Sequence, residues 1–316
     1  MKKNLLKTLV VFCMAAIMLV GCSTKDSTSD DKSTENTITV KDVKGEVKIP
    51  AEPQRIVDLS GNSDILSILG YKVIGTANSD AYDYTKFPSY LEDVLKGAEI
   101  LGYSMQETMD IEAVMNLKPD LIVISTVQEK MYDQLSEIAP TVMVKLEALN
   151  WKDDVKSLGK LFNKEDVANK WIEEYEAKAK IAGDKIKEKY GKDTTYLSFL
   201  ASGGQFFVFD GAGFGAVLYE DMGLYKPQGM PEQSDISLPV VTYEGLAAIK
   251  SDYIFLMATD EDYAELQNNR VWNKLPQVKE GKVIKLGASP YFNQGYSPIG
   301  RELLLDEIGD MLNETK

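Results

Sequence analysis

A chain of 316 residues with 44 % hydrophobic content is long enough for two folded lobes and too polar for a polytopic membrane protein. A formal net charge of −14 makes its own surface a poor ligand for nucleic acid or anionic lipid. There is no histidine, which removes the usual general base, zinc ligand and haem ligand together and makes a Ser/His/Asp triad impossible.

The chain opens with Lys2, Lys3 and Lys7 ahead of an apolar run, residues 9–20, too short to span a bilayer comfortably and closed by Leu19-Val20-Gly21-Cys22. Residues 1–21 read as a secretory signal. A small residue followed by Cys at the end of such a run resembles the lipobox of bacterial lipoproteins, which implies acylation of Cys22 and a lipid-anchored body on the outer face of the cell membrane. The alternative is an ordinary signal peptide with an incidental Cys. Cys13 leaves with the signal, so the exported body has no disulfide. Residues 1–21 hold three lysines and no acid, so their removal takes the net charge from −14 to −17. Residues 22–37, polar almost throughout, read as a flexible tether.

A first α/β lobe is expected over residues 38–150. ITVKDVKGEVKIP alternates about Gly45 as a hairpin would, and RIVDL at 55–59 is a buried strand. A helix at 64–69, a strand at 71–75, a polar and aromatic loop at 78–84 and a strand-like segment at 99–102 follow. Helices at 111–117 and 128–138 then alternate with strands at 121–125 and 141–144. That alternation implies a mostly parallel sheet covered on both faces.

Residues 151–191 form an inter-lobe segment dominated by one helix, 163–190. Asn163 is its expected N-cap, and Ile172, Tyr175, Ala179, Ala182 and Ile186 make a single apolar stripe. Gly183 is its expected weak point and Gly191 its C-terminal stop. At 1.5 Å per residue the helix is roughly 40 Å long, enough to cross between lobes.

Residues 192–316 repeat the same grammar. Strands are expected at 195–200, 206–209, 253–257 and 283–286, and helices at 215–222, 244–249 and 298–312. Glu112, Lys118 and Asp120 recur as Glu244, Lys250 and Asp252, each 132 residues later. The fold class is therefore α/β, with two Rossmann-like lobes joined by a single long helix and a ligand cleft between them at the carboxyl ends of the strands. DGAGFG at 210–215 has its third glycine one residue too early for a dinucleotide loop, and a tight strand-to-helix turn explains it.

The order of lipobox, PQRIV, a helix leading into KPDLIVIS, one long helix, VWNKLPQVKEGKVIKL and a C-terminal helix resembles a known family. These are the substrate-binding lipoproteins of ABC importers for iron-siderophore complexes, cobalamin and haem. The likeness covers residues 38–316. It implies a non-enzymatic, monomeric receptor that meets the permease through one Glu on each lobe, here Glu112 and Glu244. The bland alternative for both is a first-turn acid favoured by the helix dipole. The resemblance also implies no cofactor of the protein's own, since the siderophore carries the iron.

Loops at the expected strand ends supply the candidate ligand contacts. They are Asn62, Asn78, Tyr82, Tyr84, Tyr103, Met105 and Gln106 from the first lobe, and Phe207, Phe214, Tyr225, Tyr291, Phe292, Asn293, Gln294 and Tyr296 from the second. The only arginines are Arg55, Arg270 and Arg301. Arg55 reads as structural, Arg270 as a surface residue of a helix around 268–275, and Arg301 as the one placed to face the cleft. Lys130 could add a second positive group. Aromatics and amides with so few cations suit a neutral or cationic ferric hydroxamate better than a multiply charged catecholate. Catecholate, cobalamin and haem remain alternatives, as does a surface-anchored glycosidase built on a carboxylate pair.

Overall fold

The computed structural model describes residues 36–145, 150–235 and 237–315. The signal, Cys22 and nearly all of the tether lie outside the described residues. Thr37–Lys41 (β1) and Glu46–Pro50 (β2) pair antiparallel across Gly45, and their alternation turns Val40 and Ile49 inward. Ile56–Asp58 (β3) leads into the helix Ser63–Ile68 (α1), then Val73–Thr76 (β4) and Glu99–Ile100 (β5). The helix Ile111–Asn116 (α2), Leu121–Ser125 (β6), the helix Tyr132–Ser136 (α3) and Thr141–Val144 (β7) follow. The last five strands form a parallel sheet in the order β5-β4-β3-β6-β7.

The helices Trp151–Leu161 (α4) and Glu165–Tyr190 (α5) connect this sheet to the second half. There Tyr196–Ser202 (β8), Gln205–Val208 (β9), the helix Gly213–Ala216 (α6), Val240–Val241 (β10), the helix Tyr243–Ala248 (α7) and Tyr253–Ala258 (β11) come first. The helices Asp260–Gln267 (α8) and Pro276–Lys279 (α9), the strand Val283–Gly287 (β12) and the helices Ala288–Gln294 (α10) and Pro298–Asn313 (α11) complete the chain. The sheet order is β10-β9-β8-β11-β12, with β9 antiparallel to both its neighbours.

The sequence repeat has a structural counterpart. β6 lies beside β3 as β11 lies beside β8, each preceded by a short helix, α2 or α7. Asp120 accepts from the backbone of Gln54 and Arg55 at 2.7 and 2.9 Å, while its own N–H donates to Arg55 O. Asp252 accepts from Thr195 N at 2.8 Å, and its N–H donates to Thr195 O. One aspartate thus pins the entry to the central strand in each half.

Side chains on β6 and β11 alternate between faces, as period-two geometry demands. Leu121 and Val123, with Phe255 and Met257, join one continuous core with Ile172, Tyr175, Ala179 and Ile186 of α5 and with Leu304 and Ile308 of α11. Ile122 and Ile124 face a separate cluster in the first half, and Ile254 and Leu256 one in the second. Residues 36–316 form one compact unit, because both sheets bury an inner face against the same helices.

Several expectations are corrected. The long helix starts at Glu165; Asn163 sits at φ +54° in the turn that ends α4, where Lys164 N donates to Gly159 O at 2.7 Å. Asparagine tolerates that left-handed conformation, so it ends one helix instead of capping the next. Gly183 is no weak point: a Cβ there would lie 1.9 Å from Met222 O, so glycine is the residue that lets α5 approach the 217–222 backbone. The helix expected at 128–138 is broken, because the Gln128 side chain turns inward, accepting from Ser125 N and donating to Ser104 O and Gln106 O. The segment around Tyr291–Gln294 is helical, not a loop, and Arg270 lies in the exposed turn before Trp272 instead of in a helix.

Candidate functional site

The carboxyl ends of the strands from both halves open onto a cavity of about 720 Å³. Its first wall is the turn after β3, Ser60 to Asn62, with Asp64 and Ile65 of α1. Asp58, fully buried at the end of β3, shapes that turn by accepting from the Ser60 hydroxyl at 2.5 Å and the Ser63 hydroxyl at 2.6 Å. Asn78, after β4, holds it from the other side through Gly61 O and Ser63 N. Tyr90, Tyr103 and Met105 continue the wall, and α4 adds Trp151 and Asp154. The second half contributes Leu200 and Ser202 from β8, Phe207 from β9, and Phe292, Asn293 and Tyr296 from the α10 region. Ser297, which caps the N-terminus of α11, and Arg301 within that helix complete the wall.

The halves touch along this cleft. Ser297 donates to Asp64, Ser289 donates to Asp80, and Asn293 donates to the Tyr103 hydroxyl at 3.3 Å. Tyr84 stacks on Tyr103 at 5.0 Å and Tyr82 meets the Phe292 edge at 6.2 Å, so a first-half aromatic also reaches across to the second.

Arg301 is the one arginine in the wall among the described residues, and it is not available to a ligand as a free charge. It is 2 % exposed, donates from Nη1 to Asp221 at 2.6 Å, and lies over the Trp151 ring at 5.3 Å. The Tyr175 hydroxyl donates to the same carboxylate oxygen. Burial and the Asp221 charge raise the Tyr175 hydroxyl far above its ordinary range. The cleft phenols behave alike: burial pushes Tyr296 up to about 12 and raises Tyr90 and Tyr103. All three stay neutral near pH 7 and can donate to ligand oxygens.

Of the candidate contacts, Asn62, Tyr103, Phe207, Phe292, Tyr296 and Arg301 line this one cavity. Tyr82 and Tyr84, both more than two-fifths exposed, stand behind wall residues as an outer rim. Gln106 accepts from Tyr103 N at 2.8 Å, fixing the loop instead of facing the cavity. Phe214 is fully buried against Phe255 because the α6 face that carries it packs on the sheet. Tyr291 packs half-buried against the core from α10. Lys130 pairs with Glu107 at the surface, and Arg55 holds the end of α2 through Lys118 O.

Sequence reading passed over Trp151, Asp154, Tyr90 and Asp64. The spacing of Trp151, Val155 and Leu158 marks a helix with one buried face, a signal sufficient for the first two. Tyr90 sits in a short 3₁₀ turn, Ser89–Leu91, with no periodicity to reveal it.

Glu112 and Glu244 are exposed in the first turns of α2 and α7, whose N-termini are capped by Asp110 and Thr242. No ion pair engages either one among the described residues. Also among the described residues, no cluster of His, Cys, Asp or Glu is placed to hold a metal ion.

Two α/β halves, one long connecting helix and a cleft at the strand ends define a two-lobed solute-binding fold. A model of the family described as periplasmic binding protein matches residues 61–290, and the chain belongs to that family. Among its relatives is the iron(3+)-hydroxamate-binding protein YxeB of Bacillus subtilis (strain 168), 31 % identical over 327 residues, covering 99 % of this chain and 97 % of YxeB. The probable siderophore-binding lipoprotein YfiY of the same organism is 28 % identical over 333 residues and covers 100 % of each chain. A solved FhuD fold-family structure, a periplasmic binding protein component of a Fep/Fec-like ferrichrome ABC transporter from Bacillus subtilis, superposes with a TM-score of 0.70. It is 29 % identical, with 87 % of this chain and 99 % of that one covered.

Proposed function

We propose that this protein is the receptor of an ABC importer that captures a ferric siderophore of the hydroxamate type outside the cytoplasmic membrane and hands it to the permease. Residues 38–150 and 192–316 act as the lobes and 151–191 as their link. Cys22 carries the lipid anchor, the body is a monomer that binds without turnover, and the siderophore supplies every iron ligand.

The observation that carries the ligand class is the engagement of Arg301 by Asp221 at 2.6 Å in a wall whose other residues are aromatic, neutral or acidic. A tris-catecholate brings several negative charges, and moving them into a cleft with no unengaged cation in its wall among the described residues is costly. A hydroxamate complex carries none, and its oxygens can accept from Tyr90, Tyr103, Tyr296 and Asn62. The relatives named for hydroxamate and siderophore binding span nearly the whole chain, which supports the same reading.

Trp151 in the wall makes the test direct, because a ferric complex bound beside it quenches its fluorescence. Titration with ferrichrome should give saturable quenching, and ferric enterobactin should give none at the same concentrations. The reverse order of affinity would sink the assignment.

A further inference from the structure

Three charged side chains stand in the cleft wall among the described residues: Asp64, Asp154 and Arg301. Arg301 is neutralised by Asp221. Asp64 has no comparable partner. It is 2 % exposed, and its carboxylate accepts from Ile65 N at 2.8 Å and from the Ser297 hydroxyl, both neutral donors. Asp58, behind it on β3, is likewise held by hydroxyls and backbone. The group facing Asp64 from the Ser89–Leu91 turn is the Tyr90 phenol, and from the N-cap of α11 it is Ser297. No lysine or arginine forms an ion pair with Asp58 or Asp64 among the described residues.

A carboxylate buried at the edge of a ligand cavity without a counter-ion is a cost in the empty protein, and the cost falls when a ligand brings the missing charge. Burial raises the Asp64 carboxyl to about 6, with the neighbouring Asp58 adding to the shift, so it is ionised at neutral pH.

We propose that the Asp64 side of the cleft recognises a protonated amine on the ligand, so that the protein selects ferric hydroxamates carrying a pendant ammonium group over otherwise identical neutral ones. This inference rests on the hydroxamate reading above. Asp64 is the specificity-determining residue.

The probes are ferric desferrioxamine B, which ends in a primary ammonium, and its N-acetylated derivative, which does not. Quenching titrations of the wild-type protein should show the amine form binding about tenfold more tightly, the order expected for one partly desolvated charge pair. In Asp64→Asn the two should fall within about twofold of each other. The wild-type protein also provides a test without substitution: the preference should shrink between about pH 7.5 and about pH 5 as Asp64 takes up a proton. Equal binding of the two complexes by the wild-type protein overturns the inference and leaves the hydroxamate reading standing. So does a preference that survives both Asp64→Asn and acidification. Binding of neither complex removes the hydroxamate reading and this inference with it.

Discussion

Arg301 donates to Asp221 across 2.6 Å with both side chains 3 % exposed, so the arginine of the cleft wall meets a ligand already neutralised. Breaking such a pair leaves an uncompensated buried charge, which costs about 3–5 kcal/mol. Asp221→Asn should therefore lower the unfolding free energy by about 3 kcal/mol in a urea titration and give the cleft a free cation. The variant should then bind ferric enterobactin measurably where the wild-type protein does not. Unchanged stability and unchanged selectivity together would show that the pair is not what sets the ligand charge.

Gly183 inverts the usual rule for helices. Replacing an interior helical glycine by alanine ordinarily stabilises by about 1 kcal/mol. Here the added Cβ would stand 1.9 Å from Met222 O, and overpacking of that kind costs about 1–3 kcal/mol or more. The clash outweighs the propensity, so Gly183→Ala should reduce stability by about 2 kcal/mol, read as a lower urea midpoint with an unchanged slope. A more stable variant would mean that the close approach of α5 to the 217–222 backbone is not maintained.

Much of the fold was legible because its signals are periodic or repeated. The strands of β6 and β11 announce themselves by apolar runs, and the Asp120 and Asp252 repeat marks equivalent hydrogen bonds in the two halves. Site membership was harder. Tyr84 and Tyr103 are both tyrosines in polar loops, yet one is a wall residue and the other stacks behind it, a distinction made only by the path of the chain between them. Phe214 followed a glycine-rich turn that looked exposed, and the helix beginning there buried it. Arg301 lines the cavity, but its neutralisation depends on Asp221, 80 residues away in sequence.

Acidity should stabilise the Asp64 region. The carboxyl ionises near 3.8 in the unfolded chain and at about 6 in the fold. Between those values the folded state keeps a proton that the unfolded state has released, so stability falls as pH rises through the window. The total is on the order of 3 kcal/mol at about 1.4 kcal/mol per unit. Asp58, also raised by burial, acts with the same sign. Urea unfolding at about pH 4 and about pH 7 should show the wild-type protein gaining on Asp64→Asn as the pH is lowered. A difference that stays constant across the window would rule out an ionised, uncompensated Asp64.

Glu112 and Glu244 occupy equivalent first turns on the two lobes and are exposed. If they meet cations on the permease, Glu112→Ala with Glu244→Ala should abolish siderophore-dependent growth while leaving the affinity for the ferric complex within about twofold. The helix-dipole role alone is worth about 0.3–1 kcal/mol of stability per site and would leave uptake intact. Normal growth of the double variant would assign them that lesser role.

The central claim is that this cleft receives a ferric hydroxamate that brings its own iron ligands. Native mass spectrometry of the protein mixed with ferric hydroxamate, catecholate and citrate complexes tests class and identity together. The account predicts one-to-one adducts whose masses are those of intact ferric hydroxamates. Adducts of the catecholate or citrate complexes in their place, or iron bound without a siderophore, would contradict it.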